Sequence, residues 1–332
     1  MAIGKFNGAR CMENYANHGS VLRKLREKKG LTQRQLSKAD DPLSFICSER
    51  TLIRIEKGEI ALSEKYLSDF LLVLGMSYAE FCNEIDGGPE TTLFLNGFSE
   101  VWDLLFEKKH SKAKARMESL ITETTIDLDK PLIKQAVMLY ECRERAECDN
   151  ISSGCLEELC KAMHLTSPHI VVGRAEIALL QVSSGTFTLN EYRIMNIMAF
   201  IKECQGDMDA SVEIYRAIKE SLESKFLPNE IRNKMLPTIC YNLADALTGQ
   251  GEYEEATNVS EAGLKHGKMT GSHRMDGLLY YSMAKAQHLM GKKDKAVENF
   301  SNSYFSHKVQ GKNEMAERVK GFAAGKYDVY IE

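Results

Sequence analysis

The sequence lacks the features that mark membrane proteins, secreted proteins and most enzymes. No apolar run reaches the ~18 residues that a bilayer-crossing helix needs. The first twenty residues include Lys5, Arg10 and Glu13 and hold no apolar stretch of the secretory-leader kind, so a cytoplasmic protein is expected, without membrane contact. Its nine cysteines are odd in number, have no Cys-x-x-Cys pair and no histidine cluster at zinc spacing. Reduced, mostly buried thiols are expected, with Cys47 the candidate for redox sensing. Phosphate-loop, Gly-x-Ser-x-Gly and His-Glu-x-x-His motifs are missing, and the eight histidines are scattered. No catalytic residue, metal ligand or cofactor site is therefore assigned, and an enzyme is not expected. Proline is scarce: six in 332 residues and none after Pro237. Strand-like alternation is nearly absent, while Leu, Ala, Glu, Lys and Met are plentiful, which predicts an all-α chain.

Charge is unevenly spread. Residues 19–58 carry ten Lys or Arg against five Asp or Glu, a balance of +5 in a chain of net −4. A basic island in an acidic protein points to a polyanion, although a solvated helix face gives the same signal.

Within that island, His18 to Phe81 reads as five short helices. The first spans about Ser20–Lys29 and stops at Gly30. Thr32 caps the second, with Gln35 three residues on as in a capping box. Ser48 caps the third, Glu49–Lys57, which Gly58 ends. Ser63 opens the fourth, Gly75 closes it, and Ser77 caps the fifth. Leu22-Arg23-Lys24-Leu25-Arg26-Glu27, Gly30-Leu31-Thr32-Gln33, Leu36, Ser48, Thr51-Leu52, Arg54-Ile55-Glu56-Lys57-Gly58 and Leu74-Gly75-Met76-Ser77 together resemble the Xre/Cro/phage-repressor helix-turn-helix family. The resemblance implies that the third helix enters the major groove of double-stranded promoter DNA. Glu49, Arg50, Thr51 and Arg54 would face base edges, and Gln33, Arg34, Ser48 and Lys57 would lie along the backbone. It also implies that Glu56 pairs with Arg26 and is structural. Two departures stand out: residues 40–47 make the connection between helices two and three about five residues longer than usual, and Ile53 stands where a small polar residue is common.

Asp86-Gly87-Gly88-Pro89 reads as a boundary, dividing a DNA-binding domain, 1–86, from a helical domain, 87–332. The segment Pro237–Ala256 resembles a tetratricopeptide repeat: Leu243-Ala244 in a helix A, Gly251 before the turn, then Tyr253 and Ala256 in a helix B. Met283, Ala284, Gly291 and Ala296 repeat those offsets downstream, as do Met198, Ala199, Gly206 and Ser211 upstream. The landmarks are 45 and 40 residues apart rather than the family's ~34, so the repeats are degenerate. The predicted fold is thus all-α, a helix-turn-helix followed by a tetratricopeptide-like α-solenoid, whose helix A side chains line a concave face. Asn196 and Asn242 are candidates for holding a peptide backbone, because one amide both donates and accepts; asparagine is also frequent there for structural reasons. Phe200, Lys202, Tyr241 and Asp245 lie on the same helices.

Together, the two regions resemble the Rgg/PlcR/PrgX family of regulators. That resemblance implies a homodimer and a short signalling (quorum-sensing) peptide bound in the repeat groove. The rival reading is a constitutive repressor whose repeats only dimerise or dock a protein. Residues after Lys312 are expected to cap the solenoid or join a dimer interface, and residues 1–18 to form a tail, an extra helix or an arm.

Overall fold

The computed structural model describes residues 15–38, 46–60, 62, 64–77, 80–81, 84, 89–122, 127–147, 153–166, 187–223, 227 and 229–331. Most of the long connection 40–47, residues 1–14, Ser63, Asp86–Gly88, Cys11, Cys82 and Cys148 lie outside this set. Among the described residues every regular element is a helix. Contacts divide the chain into two compact units, Met1–Ile170 with Gly185–Glu191, and Val171–Ser184 with Tyr192–Glu332.

In the first unit, α1 (Tyr15–Lys28), α2 (Gln33–Lys38), α3 (Glu49–Glu56) and α4 (Glu64–Leu74) surround a core of Leu22, Leu25, Leu36, Cys47, Leu52, Ile55, Leu67, Phe70, Leu71 and Leu74. Helix α1 starts five residues earlier than the sequence predicts. The caps form as read. Thr32 N donates to Gln35 Oε1 at 2.8 Å and Gln35 N to Thr32 Oγ1 at 3.2 Å. Ser77 and Glu80 make the same reciprocal pair. Pro89 opens α5 (Pro89–Phe106), which packs on α6 (His110–Thr122) and α7 (Pro131–Glu147); α7 packs on α8 (Ser153–Thr166).

The second unit, with α9 (Leu189–Cys204) from Tyr192 on, is a run of antiparallel neighbours: α10 (Met208–Glu223), α11 (Asn229–Gln250), α12 (Tyr253–Thr270), α13 (Asp276–Leu289), α14 (Lys293–Val309) and α15 (Asn313–Tyr327). The small landmarks Ser211, Ala256 and Ala296, like their helix A counterparts Ala199, Ala244 and Ala284, are completely buried, which lets paired helices approach. The turns are alike. Gly206, Gly251 and Gly291 have φ of 82°, 88° and 77°. The next amide bonds back to the carbonyl of Lys202, Leu247 or Gln287, each at 2.9 Å. A Cβ on these glycines would meet nothing within 4 Å, so backbone conformation, not space, selects glycine.

Helix α11 begins two turns before Pro237, which lies inside it. Proline has no N–H for the carbonyl of Asn233, a loss of one helical bond. At the C-terminal end, Val319, Ala323, Val329 and Ile331 join Ala284, Ala296 and Phe300 in one buried cluster, and Tyr327 stacks against Phe300. The segment after Lys312 therefore caps the helical stack, although Phe322 and Tyr330 stay exposed.

Candidate nucleic-acid interface and repeat face

Helix α3 is built to present one side. Ser48, at φ −65° and ψ 147°, accepts from Thr51 N at 3.0 Å, and its hydroxyl also bonds Thr51 Oγ1 at 2.7 Å. Leu52, Ile55 and Glu56 are buried. Glu49, Arg50, Arg54 and Lys57 are exposed, with Thr51 and Ile53 half-buried. At the helical period, residues 49, 50, 53, 54 and 57 share one continuous arc. Arg54 pairs with Glu59 at 3.5 Å, both half-exposed, a contact worth little and easily given up to a phosphate or base.

Glu56 is the anchor beneath this helix. Arg26 Nε donates to its Oε1 at 2.6 Å and Arg26 Nη2 to its Oε2 at 3.0 Å, as the family resemblance implies. That hydrogen bond is the main cause holding the guanidinium above its usual range, against the opposing effect of burial. Gln33 Nε2 also donates to Glu56 Oε2, at 2.8 Å. One N–H of the Gln33 side-chain amide is thus committed inside the protein, leaving its second N–H and the free backbone N–H groups of the first turn of α2 as donors for a phosphate. Arg34 stands exposed on α2. Cys47 is buried in the core, and burial pushes its thiol up, so the described geometry fits a packed thiol better than a reactive one.

The three repeats bring a second set of side chains into register. With Ala199, Ala244 and Ala284 equivalent, Asn196 matches Tyr241 and Tyr281, while Phe200 matches Asp245 and Lys285. Asn242 Nδ2 donates to Asn196 Oδ1 at 2.7 Å, linking α9 to α11. Lys285 Nζ donates to Asp245, linking α11 to α13. Phe200 is 37% exposed. Burial, then Asp245, pushes the Glu203 carboxyl up, with Lys285 opposing. Burial raises the Tyr281 hydroxyl to about 12 and lifts Tyr241 as well.

Five of the six residues predicted for this face thus fall together; Lys202 does not. It has the register of Leu247 and Gln287, both buried, and its ammonium reaches Asp207 Oδ2 at 3.3 Å in the turn. Glu203, Tyr281 and Lys285 belong with the set and went unpredicted. For Tyr281 and Lys285 the signal was present, since they repeat the offsets of Tyr241 and Asp245.

Residues 22–81 match the helix-turn-helix family, and residues 175–319 match the RNPP family C-terminal domain. No curated protein matches the sequence significantly. Among solved structures, PlcR from Bacillus thuringiensis, in complex with the peptide PapR7 and DNA, superposes with a TM-score of 0.54 at 20% identity, covering 92% of this chain and 99% of that one. The apo form of the competence regulator ComR from Streptococcus vestibularis gives 0.52 at 17% identity, covering 93% and 98%. These likenesses establish a shared fold along nearly the whole length. With a helix-turn-helix at 22–81 and the family's C-terminal domain at 175–319, the chain belongs to the RNPP family.

Proposed function

We propose that this protein is a cytoplasmic, non-enzymatic transcription regulator that reads promoter DNA through α3 and is controlled by a short signalling peptide on the helix A face. The observation that carries the reading is the preformed α3: its apolar side is locked into the core and Glu49, Arg50, Arg54 and Lys57 are left free of it. The division of labour is 1–86 for DNA and 87–332 for sensing and dimerisation. It is a division by role, since the helix-turn-helix and α5–α8 share one compact unit. PlcR, solved with a peptide and DNA, supplies the precedent for one chain holding both. On the repeat face, exposed Phe200 and half-buried Asn196, Tyr241, Asn242 and Asp245 offer an apolar contact beside amide and carboxylate groups. A homodimer follows from DNA geometry, because two modules reach half-sites ~34 Å apart where one buries little surface.

The test is a titration of DNA upstream of the gene, with and without synthetic fragments of neighbouring small open reading frames. A fragment that shifts affinity or complex size supports peptide control. DNA binding that no fragment alters would leave the repeats as a dimerisation scaffold, a role suited to a face whose Asn196–Asn242 and Asp245–Lys285 pairs already satisfy one another.

Two substitutions divide the sites. Arg50→Ala is expected to cost about 1–3 kcal/mol on the preferred sequence and to relax preference at one base pair. Selection of bound duplexes checks this, and an unchanged consensus would remove Arg50 from the reading set. Asn242→Ala breaks the bond to Asn196 and is expected to weaken the peptide response about tenfold, the effect of one lost hydrogen bond in a desolvated site. DNA binding without peptide should be unchanged, and a full peptide response would clear Asn242 of the role.

A further inference from the structure

The DNA-reading side of α3 carries an apolar residue among its charged ones. Ile53 lies on the same arc as Glu49, Arg50, Arg54 and Lys57, between Glu49 and Lys57 in angular order. The core does not claim it. Val21, Leu31, Ile46, Ile60, Tyr66, Val73 and Met76 are the partly buried apolar side chains packed against the N-terminal core, and among the described residues Ile53 does not join them. Its neighbours along the helix, Leu52 and Ile55, are completely buried, so α3 already has its anchors. A β-branched side chain on a short helix gains nothing in helix propensity over a polar one and costs some exposed apolar surface.

The major groove offers one apolar group on a base edge, the 5-methyl of thymine. Polar groups there are matched by Glu49 and Arg50, and the methyl has no polar partner to seek. We propose that Ile53 packs against a thymine methyl and so sets a thymine requirement in the recognised sequence. Ile53 follows Arg50 by three residues, about 4.5 Å along the helix axis. Successive bases of one strand lie ~3.4 Å apart along the duplex. The thymine therefore falls about one step from the base that Arg50 reads. This inference rests on α3 being the DNA-reading helix.

Duplexes bound by the full-length protein are selected from a random library, and each conserved thymine is replaced in turn by deoxyuridine. The replacement removes the methyl and leaves every hydrogen-bonding group in place. One replacement per half-site is expected to weaken the wild-type protein about three- to fivefold, the effect of uncovering one methyl-sized group. Ile53→Ala should bind the thymine site more weakly by a similar factor and be indifferent to deoxyuridine, with Ile53→Val between the two. The thermal midpoint, read on the same samples, reports any packing this half-buried side chain loses, and the deoxyuridine indifference reports the methyl contact alone. Wild-type affinity insensitive to every replacement would overturn the proposal and leave DNA reading intact, and so would an Ile53→Ala protein that keeps the deoxyuridine penalty. Recovery of no preferred sequence at all would overturn the DNA-reading assignment and the proposal with it.

Discussion

Glu56→Ala is expected to destabilise the helix-turn-helix by about 3–5 kcal/mol, enough to melt much of a domain whose whole stability is of that order. The size follows from what remains behind. The side chains of Arg26 and Glu56 are only 9% and 2% exposed. Arg26 also donates to the carbonyl of Leu31 at 2.8 Å, so its head group is held inside and cannot swing out to water without breaking the α1–α2 turn. Guanidinium keeps its proton under all ordinary conditions. Truncating Glu56 therefore leaves a buried positive charge with only the long, solvent-exposed contact to Glu27 at 3.5 Å, and takes the acceptor from Gln33. Removing both partners should cost much less. Arg26→Met with Glu56→Met is expected to recover a large part of the loss, because the expensive species is the buried, poorly compensated ion rather than the missing pair. Urea unfolding of the full chain, followed by hydrogen exchange at α1 and α3 amides, measures each variant. A loss below ~1 kcal/mol for the single variant would show that water reaches Arg26 after truncation.

Glu56 illustrates which parts of the molecule were legible in its sequence. Local chemistry was readable outright. The caps at Thr32, Ser48 and Ser77 depend on a side chain and a backbone amide two or three residues away, and each formed as read. Leu52 and Ile55 stand at helical spacing on one side of α3, and both are completely buried. The turn glycines of the three repeats were marked by spacing, and the repeat register carried Asp245 onto Lys285. The Arg26–Glu56 pair, 30 residues apart, came through the family resemblance, whose string of matched positions encodes a contact that periodicity alone does not. What failed to show were partnerships decided by tertiary placement. Gln33 is 23 residues from Glu56, and nothing in a pattern of polar residues says its amide turns inward. Lys202 shares a helix with Asn196 and Phe200, but it lies six and two residues from them, on the other side of the helix, and its ammonium reaches the turn. Pro237 lies inside α11 although proline favours a first turn, because the flanking Ile231, Met235, Leu236 and Ile239 are all buried and that burial carries the helix across it.

Gly19→Ala is expected to be as damaging as the loss of Glu56, by the opposite means. An ideal Cβ at Gly19 would stand 1.8 Å from the carbonyl oxygen of Ile55, 2.8 Å from its carbon and 3.3 Å from Cα of Glu56. The obstacle is the backbone of α3, which has no rotamer to change. Alanine is the better helix former, by about 1 kcal/mol over glycine, so an exposed site on α1 would be stabilised by this change. Here the overlap decides the sign. Relief requires α1 and α3 to part by more than an ångström, when overpacking a close-packed core already costs about 1–3 kcal/mol for a methylene that side chains absorb. Parting these helices also draws Arg26, on α1, away from Glu56, on α3, so the two losses are coupled. A net destabilisation of about 3 kcal/mol or more is expected, with DNA affinity falling at least tenfold even where the protein stays folded, since a shifted α3 no longer matches the groove while its phosphate partners stay in place. Thermal unfolding and a DNA titration on the same sample separate the two effects. Combining Gly19→Ala with Glu56→Ala should cost less than the sum of the single changes, because each removes part of what the other destroys. Strict additivity would mean that α1 accommodates the methyl without moving off α3, and a variant more stable than wild type would mean that the two backbones do not touch at all.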